Sequence, residues 1–191
     1  MDFGERNVMR SFRMVAVASV MLVSCQGDKG GAPTATPEKS VSISTVMREN
    51  IVPGSEVLWN AVGETYEGDK PVRIAPSTPE QWKTLEDAVR TMKQGLAHLE
   101  KGKLVVAAPG EKIQGDGVAD APQAAQIQAR IDADSAAFKA DSKAMMAILD
   151  QFDAAVGARN VDQIMDLGGK LDEVCEACHR KYWYPDQKVI P

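Results

Sequence analysis

Histidine and cysteine are scarce in this 191-residue chain, with two and three copies, and aromatic residues make up 5% of it. So few aromatic residues, beside plentiful Ala, Leu, Met, Lys, Glu and Gln, favour helices over the aromatic and β-branched composition of a sheet protein, and so an all-α fold. No apolar run approaches the roughly 20 residues that a membrane-spanning helix needs. Positive charge is outnumbered, 22 Lys and Arg against 27 Asp and Glu, giving a formal net charge of −5. That balance disfavours nucleic acid and anionic lipid as partners and favours encounter with a basic surface at low salt. The length suits one compact core plus an extension.

The extension is at the start. Arg6, Arg10 and Arg13 precede an apolar run from Met14 to Val23, then Ser24-Cys25. About ten apolar residues after a basic stretch make a signal segment rather than an anchor, so residues 1–24 are expected to be an export signal. Leu22-Val23-Ser24-Cys25 resembles the bacterial lipobox. That resemblance implies cleavage before Cys25 and lipidation of its thiol and amine, enough buried CH₂ for stable anchoring. The alternative is an uncleaved or ordinarily cleaved signal with an incidental cysteine. Cleavage would remove three arginines against Asp2 and Glu5, moving the net charge from −5 to −6. Residues 25–40, rich in Gly, Pro, Thr and Lys, have the composition of a flexible tether. By analogy with enterobacterial sorting, Gln26 after the cysteine is compatible with the outer membrane. The domain proper is expected over residues 41–191.

Within that domain the apolar residues recur at helical spacing. Ile43, Met47, Ile51, Leu58 and Val62 mark a first helix, kinked at Pro53 or split there into two. Residues 63–77 read as a loop. Ser77-Thr78-Pro79 then offers a cap and a first-turn proline for a second helix carrying Trp82, Leu85, Val89, Met92, Leu96 and Leu99. Residues 101–121, with four glycines and Pro109, form a long connection in which Leu104-Val105-Val106 either packs on the core or belongs to a mobile flap. A third helix is predicted from Pro122 to Val156 through Ile127, Ile131, Phe138, Met145, Leu149 and Phe152, stopped by the turn 157–160. A fourth runs from Val161 toward Pro185 on Ile164, Leu167, Leu171, Val174 and Cys178. Four amphipathic helices pack most simply as an antiparallel, up-down-up-down four-helix bundle. The two halves show no convincing internal repeat.

The fourth helix carries the chemistry. Cys175-Glu176-Ala177-Cys178-His179 fits the attachment pattern for c-type haem. Residues three apart share a helix face, so both thiols can reach the vinyl groups along one porphyrin edge while His179 comes under the iron. One covalent haem c is therefore expected, with Cys175 and Cys178 as attachment points and His179 as proximal iron ligand. With Cys25 assigned to lipid, no structural disulfide is expected. Two alternatives compete. Zinc would need a fourth strong ligand, and the only other histidine is His98; a redox CxxC would belong in a βαβ setting, which the helical pattern does not supply.

Together with Tyr182 and Trp183, this C-terminal motif resembles the cytochrome c′ or class II cytochrome c family, itself an example among the four-helix bundles. The similarity extends to Val46-Met47-Arg48, Pro53 and Leu58-Trp59-Asn60-Ala61-Val62-Gly63, and to Pro79 and Trp82, covering about residues 43–184. The chain departs from the family in its long 101–121 connection and in Gln126-Ile127, where a tryptophan is expected. In an antiparallel bundle the haem lies near the C-terminal end of the fourth helix, level with the starts of the first and third. Met47 is at that level and is the candidate sixth iron ligand. The alternative is a space-filling methionine that leaves the iron five-coordinate; within the family, c-556-like members use such a methionine and cytochromes c′ leave the position open. His98 lies one position off its apolar stripe and is expected to face solvent or a neighbouring helix. Trp59 and Trp82 are expected core anchors, with Tyr182 and Trp183 beside the haem edge. Arg48, Arg180 and Lys181 are candidates to pair with propionates, or else remain solvated.

No catalytic constellation is present, since the histidines and cysteines are committed elsewhere. The expected role is that of a lipid-anchored, periplasm-facing carrier of single electrons and not an enzyme, meeting a redox partner with a basic docking surface. A homodimer is also compatible with the reading. The competing role is a five-coordinate haem protein that captures NO or CO as sensor or scavenger.

Overall fold

The computed structural model describes residues 41–119 and 121–185. The expected signal, tether and lipidation residue Cys25 lie outside the described residues. The described chain is mostly helical with one small two-stranded sheet. None of its described helices is long and apolar enough to cross a membrane.

Ser42 opens the first helical run, its hydroxyl accepting from the Thr45 amide at 3.0 Å. The run comprises α1 (Ile43–Val46), a π-helical stretch (Met47–Ile51) and α2 (Val52–Ala61). Pro53 explains the widened turn. It has no N–H, and its ring crowds the carbonyl four residues back, so an α-helical ladder cannot pass through it undisturbed. The π stretch absorbs the misfit, with the Val52 amide donating to the Met47 carbonyl. Expectation and structure agree that the proline perturbs this helix, and the perturbation falls on the turn that begins with Met47.

The all-α expectation needs one correction. Residues 63–77 are not merely a loop, because strands β1 (Gly63–Glu67) and β2 (Lys70–Ile74) pair antiparallel there. Gly68, at φ +63°, turns the chain in the two-residue connection Gly68-Asp69. Across the ladder Glu64 opposes Arg73 and Glu67 opposes Lys70, so opposite charges face each other along this exposed ribbon.

Helix α3 (Pro79–Lys101) starts as the cap signal predicts: the Thr78 hydroxyl accepts from the Gln81 amide, and Gln81 Oε1 accepts from the Thr78 amide at 3.0 Å. The expected third helix is interrupted. Asp134 ends α4 (Ala124–Ala133) and caps α5 (Ser135–Gly157), accepting from the Ala137 amide at 2.9 Å. Asn160 then caps α6 (Val161–Tyr182) through the Gln163 amide at 3.1 Å.

The connection between α3 and α4 is packed and not a loose flap. Leu104, Val106 and Ile113 are buried. The Val105 and Val106 carbonyls accept from the Ile43 and Ser44 amides at 2.8 and 3.0 Å, satisfying the open donors of the first turn of α1. Gln128 of α4 holds the same strap from its other side, accepting from the Val106 amide at 2.8 Å and donating to the Leu104 carbonyl at 3.1 Å.

Every apolar residue expected on α3 and on α4–α5 is buried, from Trp82 to Leu99 and from Ile127 to Val156. Ile164, Leu167 and Leu171 complete the core from α6. Each such residue contributes about 1.5–3 kcal/mol by leaving water. Gly54 lies against Met92, and Gly95 against Asn50 and Val46, close approaches that a side chain at either glycine would block. Arg159, just after α5, lies over the Trp82 ring near the start of α3. Trp59 is not a core anchor as expected; it is 38% exposed and donates its indole N–H to the Gly168 carbonyl of α6 at 3.2 Å.

Candidate functional site

The last two turns of α6 bring Cys175, Cys178 and His179 onto one half-buried face, with both thiols unpaired and packed against the core. Three neighbours set this geometry. Tyr182, one turn on, is 2% exposed; its ring meets Phe138 edge-on at 5.2 Å between centroids, and its hydroxyl donates to Asp141 at 3.1 Å. Arg130 of α4 donates to the Tyr182 carbonyl at 3.0 Å, capping one of the open acceptors of the last turn. The chain then folds back, the His179 carbonyl accepting from the Trp183 and Tyr184 amides at 2.8 and 3.0 Å. The rings of Trp183 and Tyr184 lie 6.2 and 5.8 Å from the imidazole.

Glu176, between the two cysteines, is held away from them. Its carboxylate accepts from Arg180 Nε at 2.8 Å and from the Tyr184 hydroxyl at 2.7 Å. These bonds hold the Glu176 carboxyl below its ordinary range, the Tyr184 bond being the larger cause and Arg180 the next. For the phenol, burial and the bond to Glu176 push the Tyr184 pKa up to about 12. This clamp was not anticipated from the sequence. Its one visible sign was the i, i+4 spacing of Glu176 and Arg180.

Burial dominates the electrostatics of the motif. With Asp172 nearby, it pushes the Cys175 thiol up to about 11; with Asp141 and Cys175 nearby, it pushes the Cys178 thiol up to about 12. These are neutral thiols at pH 7, the opposite of the lowered pKa that an exchange-active CxxC pair needs. Burial also lowers the His179 pKa, against the opposing charge of Glu176, and so favours the neutral imidazole, the form in which a histidine can ligate a metal. The C-terminal end of α6 supplies the negative end of a helix dipole, where positive charge is stabilised. Two half-buried, unpaired thiols one helical turn apart beside a half-buried imidazole are the set of groups that covalent haem would need. Among the described residues no group of three or more His, Cys, Asp or Glu comes together as a metal cage.

The other expected residues are distributed as follows. Met47 begins the π stretch, half-buried and packed against the core. His98 is exposed on α3, as expected from its position off the stripe. Arg48 pairs with Glu111 and Glu49 at 3.2 and 3.1 Å, Arg180 with Glu176, and Lys181 with Asp141 at 3.0 Å. All three basic side chains thus have protein partners, each more than 40% exposed on the cationic side and worth little individually. No family model matches the chain, and neither a curated protein nor a solved structure matches it.

Proposed function

We propose that this chain is a c-type cytochrome of the cytochrome c′ kind, an exported, lipid-anchored carrier of single electrons. The observation that carries the reading is the half-buried face of α6. There Cys175 and Cys178 would hold the haem through thioethers, and His179 would ligate its iron. When bound, the haem supplies an iron that takes up and releases one electron. The chain's own residues hold and shield it: Tyr182 and Arg130 fix the end of α6, and Trp183 and Tyr184 flank the imidazole.

An antiparallel, up-down-up-down bundle is the architecture proposed for the helices, and contacts between four pairs of elements support it. Asn50 meets Gly95 while Gly54 meets Met92, so the first helical run and α3 oppose each other. The Arg159–Trp82 contact joins the end of α5 to the start of α3. Lys181 and Tyr182 reach Asp141, so the end of α6 lies at the start of α5. Trp59 near the end of α2 meets Gly168 near the start of α6. Twelve residues before Trp59 is Met47, and twelve after Gly168 is Arg180, next to His179. This register supports Met47 as the sixth ligand. Its packing against the core favours the competing reading, a space-filling methionine beside a five-coordinate iron that binds NO or CO.

Optical spectra of the mature protein, ferric and ferrous, with and without CO, test the choice. An electron carrier gives a low-spin spectrum that turns high-spin in Met47→Ala. A high-spin spectrum indifferent to that substitution transfers the role to gas binding. Haem attachment itself is tested by Cys175→Ala combined with Cys178→Ala, which should abolish haem staining on a denaturing gel; a band that persists sinks the proposal.

A further inference from the structure

The strap between α3 and α4 is bolted to the turn that presents Met47, and the bolt is one carboxylate. Glu111, whose side chain is 13% exposed, gathers four donors. Ser42 Oγ donates at 2.6 Å, the Ala108 amide at 2.8 Å, Thr45 Oγ1 at 2.8 Å and Arg48 Nη1 at 3.2 Å. Three of these come from before, within and just after α1, and the fourth folds the strap onto itself. The two backbone bonds from the Ile43 and Ser44 amides to the strap run alongside.

The strap continues the connection toward the end of α6. Gln128 grips Leu104 and Val106, and Arg130, two residues further along α4, donates to the Tyr182 carbonyl at the end of α6. A chain of hydrogen bonds therefore runs from the first turn of α1 through the strap and α4 to the turn that carries His179. Met47 begins a π-helical stretch, a turn whose hydrogen bonding differs from the helix on both sides, so its placement depends on how the residues before it are anchored.

We infer that Glu111 is a positioning residue for the iron's sixth ligand: by latching the strap to Ser42, Thr45 and Arg48 it fixes the π turn and holds Met47 in register with His179. This rests on the reading of Met47 as that ligand. Glu111 would act without touching the haem, its carboxylate being taken up by Ser42, Thr45, Arg48 and the Ala108 amide. It acts by holding the helix start against rotation and withdrawal, and its loss frees Met47 from the iron more often.

The experiment uses the haem-loaded protein and compares wild type, Glu111→Ala, Glu111→Gln, Met47→Ala and the double variant Met47→Ala/Glu111→Ala. Ferric spin state and the rate of CO binding to the ferrous form are read for each. Glu111→Ala should raise the high-spin fraction and speed CO binding several-fold toward the Met47→Ala value. Glu111→Gln, which keeps acceptor oxygen, should recover part of the wild-type behaviour. The double variant should bind CO no faster than Met47→Ala alone, because the latch acts only through the ligand. An unchanged spectrum and rate in Glu111→Ala overturns the inference while leaving Met47 as ligand, and so does a double variant faster than Met47→Ala. A Met47→Ala spectrum identical to wild type overturns the ligand reading and the inference with it. If Glu111→Ala does not fold, Gln128→Ala releases the strap at its other edge and carries the same expectations.

Discussion

The hydroxyl of Ser42 donates to the carboxylate of Glu111 at 2.6 Å, across 69 positions of sequence. Ser42 is buried, and the same oxygen of Glu111 also receives the Ala108 amide. Burial alone would raise the Glu111 pKa. The bonds from Ser42, the Ala108 amide, Thr45 and Arg48 outweigh it and bring the pKa down to about 2. A carboxyl depressed on folding contributes stability that is present above its unfolded pKa and is lost as pH falls toward its folded value. Glu111→Gln should therefore lower stability at pH 7 by about 1.5–3 kcal/mol, the range for hydrogen bonds to a charged group. The difference from wild type should shrink between about pH 4.5 and 2. Urea unfolding of both proteins across that range checks it, and a difference independent of pH would refute the charge argument.

Two glycines make opposite predictions from the same substitution. At Gly54 in α2 a Cβ would overlap Met92 Cγ and stand 2.8 Å from its sulfur, with the Ala88 carbonyl at 3.2 Å. Gly54→Ala should cost about 1–3 kcal/mol in overpacking, more than the helix gains from alanine. At Gly169 in α6 a Cβ meets nothing within 4 Å. Gly169→Ala should accordingly raise stability by about 0.5–1 kcal/mol through the lost backbone freedom of the unfolded chain. Thermal melts of the two variants should move in opposite directions.

What could be read from the sequence was whatever repeats with the helical period. The stripes of α3 and of α4–α5 were legible because each apolar residue there is buried, and Thr78-Pro79 marked the start of α3 by a cap and a proline that leave few other conformations. The β-hairpin was not legible because it buries almost nothing: its strands are exposed along nearly their whole length, so no alternation of apolar residues announced it. Gly68-Asp69 was the one available turn signal. The break at Asp134 hid inside a continuous apolar phase, since Ile131 and Phe138 stay seven apart on either side of it. Trp59 misled in the other direction. Its size suggests a core anchor, but its indole N–H bonds to a backbone carbonyl from a partly exposed position. Of the candidate site, the motif Cys175, Cys178 and His179 stood out at once because it is local. Glu111 was not, because its side-chain partners lie more than sixty residues away and no periodicity connects them.

The end of α6 should be the least tolerant part of the site to large-to-small change. Phe138 is 1% exposed and Tyr182 2%, and their edge-on contact is the apolar floor beneath the turn that bears His179. Removing the Phe138 ring loses its burial and leaves a cavity, so Phe138→Ala should cost about 3–5 kcal/mol. Tyr182→Phe keeps the ring and removes only the hydroxyl bond to Asp141, worth about 0.5–1.5 kcal/mol. Asp141 retains Lys181 at 3.0 Å in that variant, which keeps its charge paired. The two substitutions thus separate packing from hydrogen bonding at one place. Under the haem reading, Phe138→Ala should also broaden the spectral signature of the proximal histidine, because the turn holding His179 loses its support, whereas Tyr182→Phe should leave it sharp. Urea unfolding supplies the two stability differences and low-temperature electron paramagnetic resonance of the ferric protein supplies the spectral one. Equal stability losses in the two variants would show that the ring contact does not set the position of this turn.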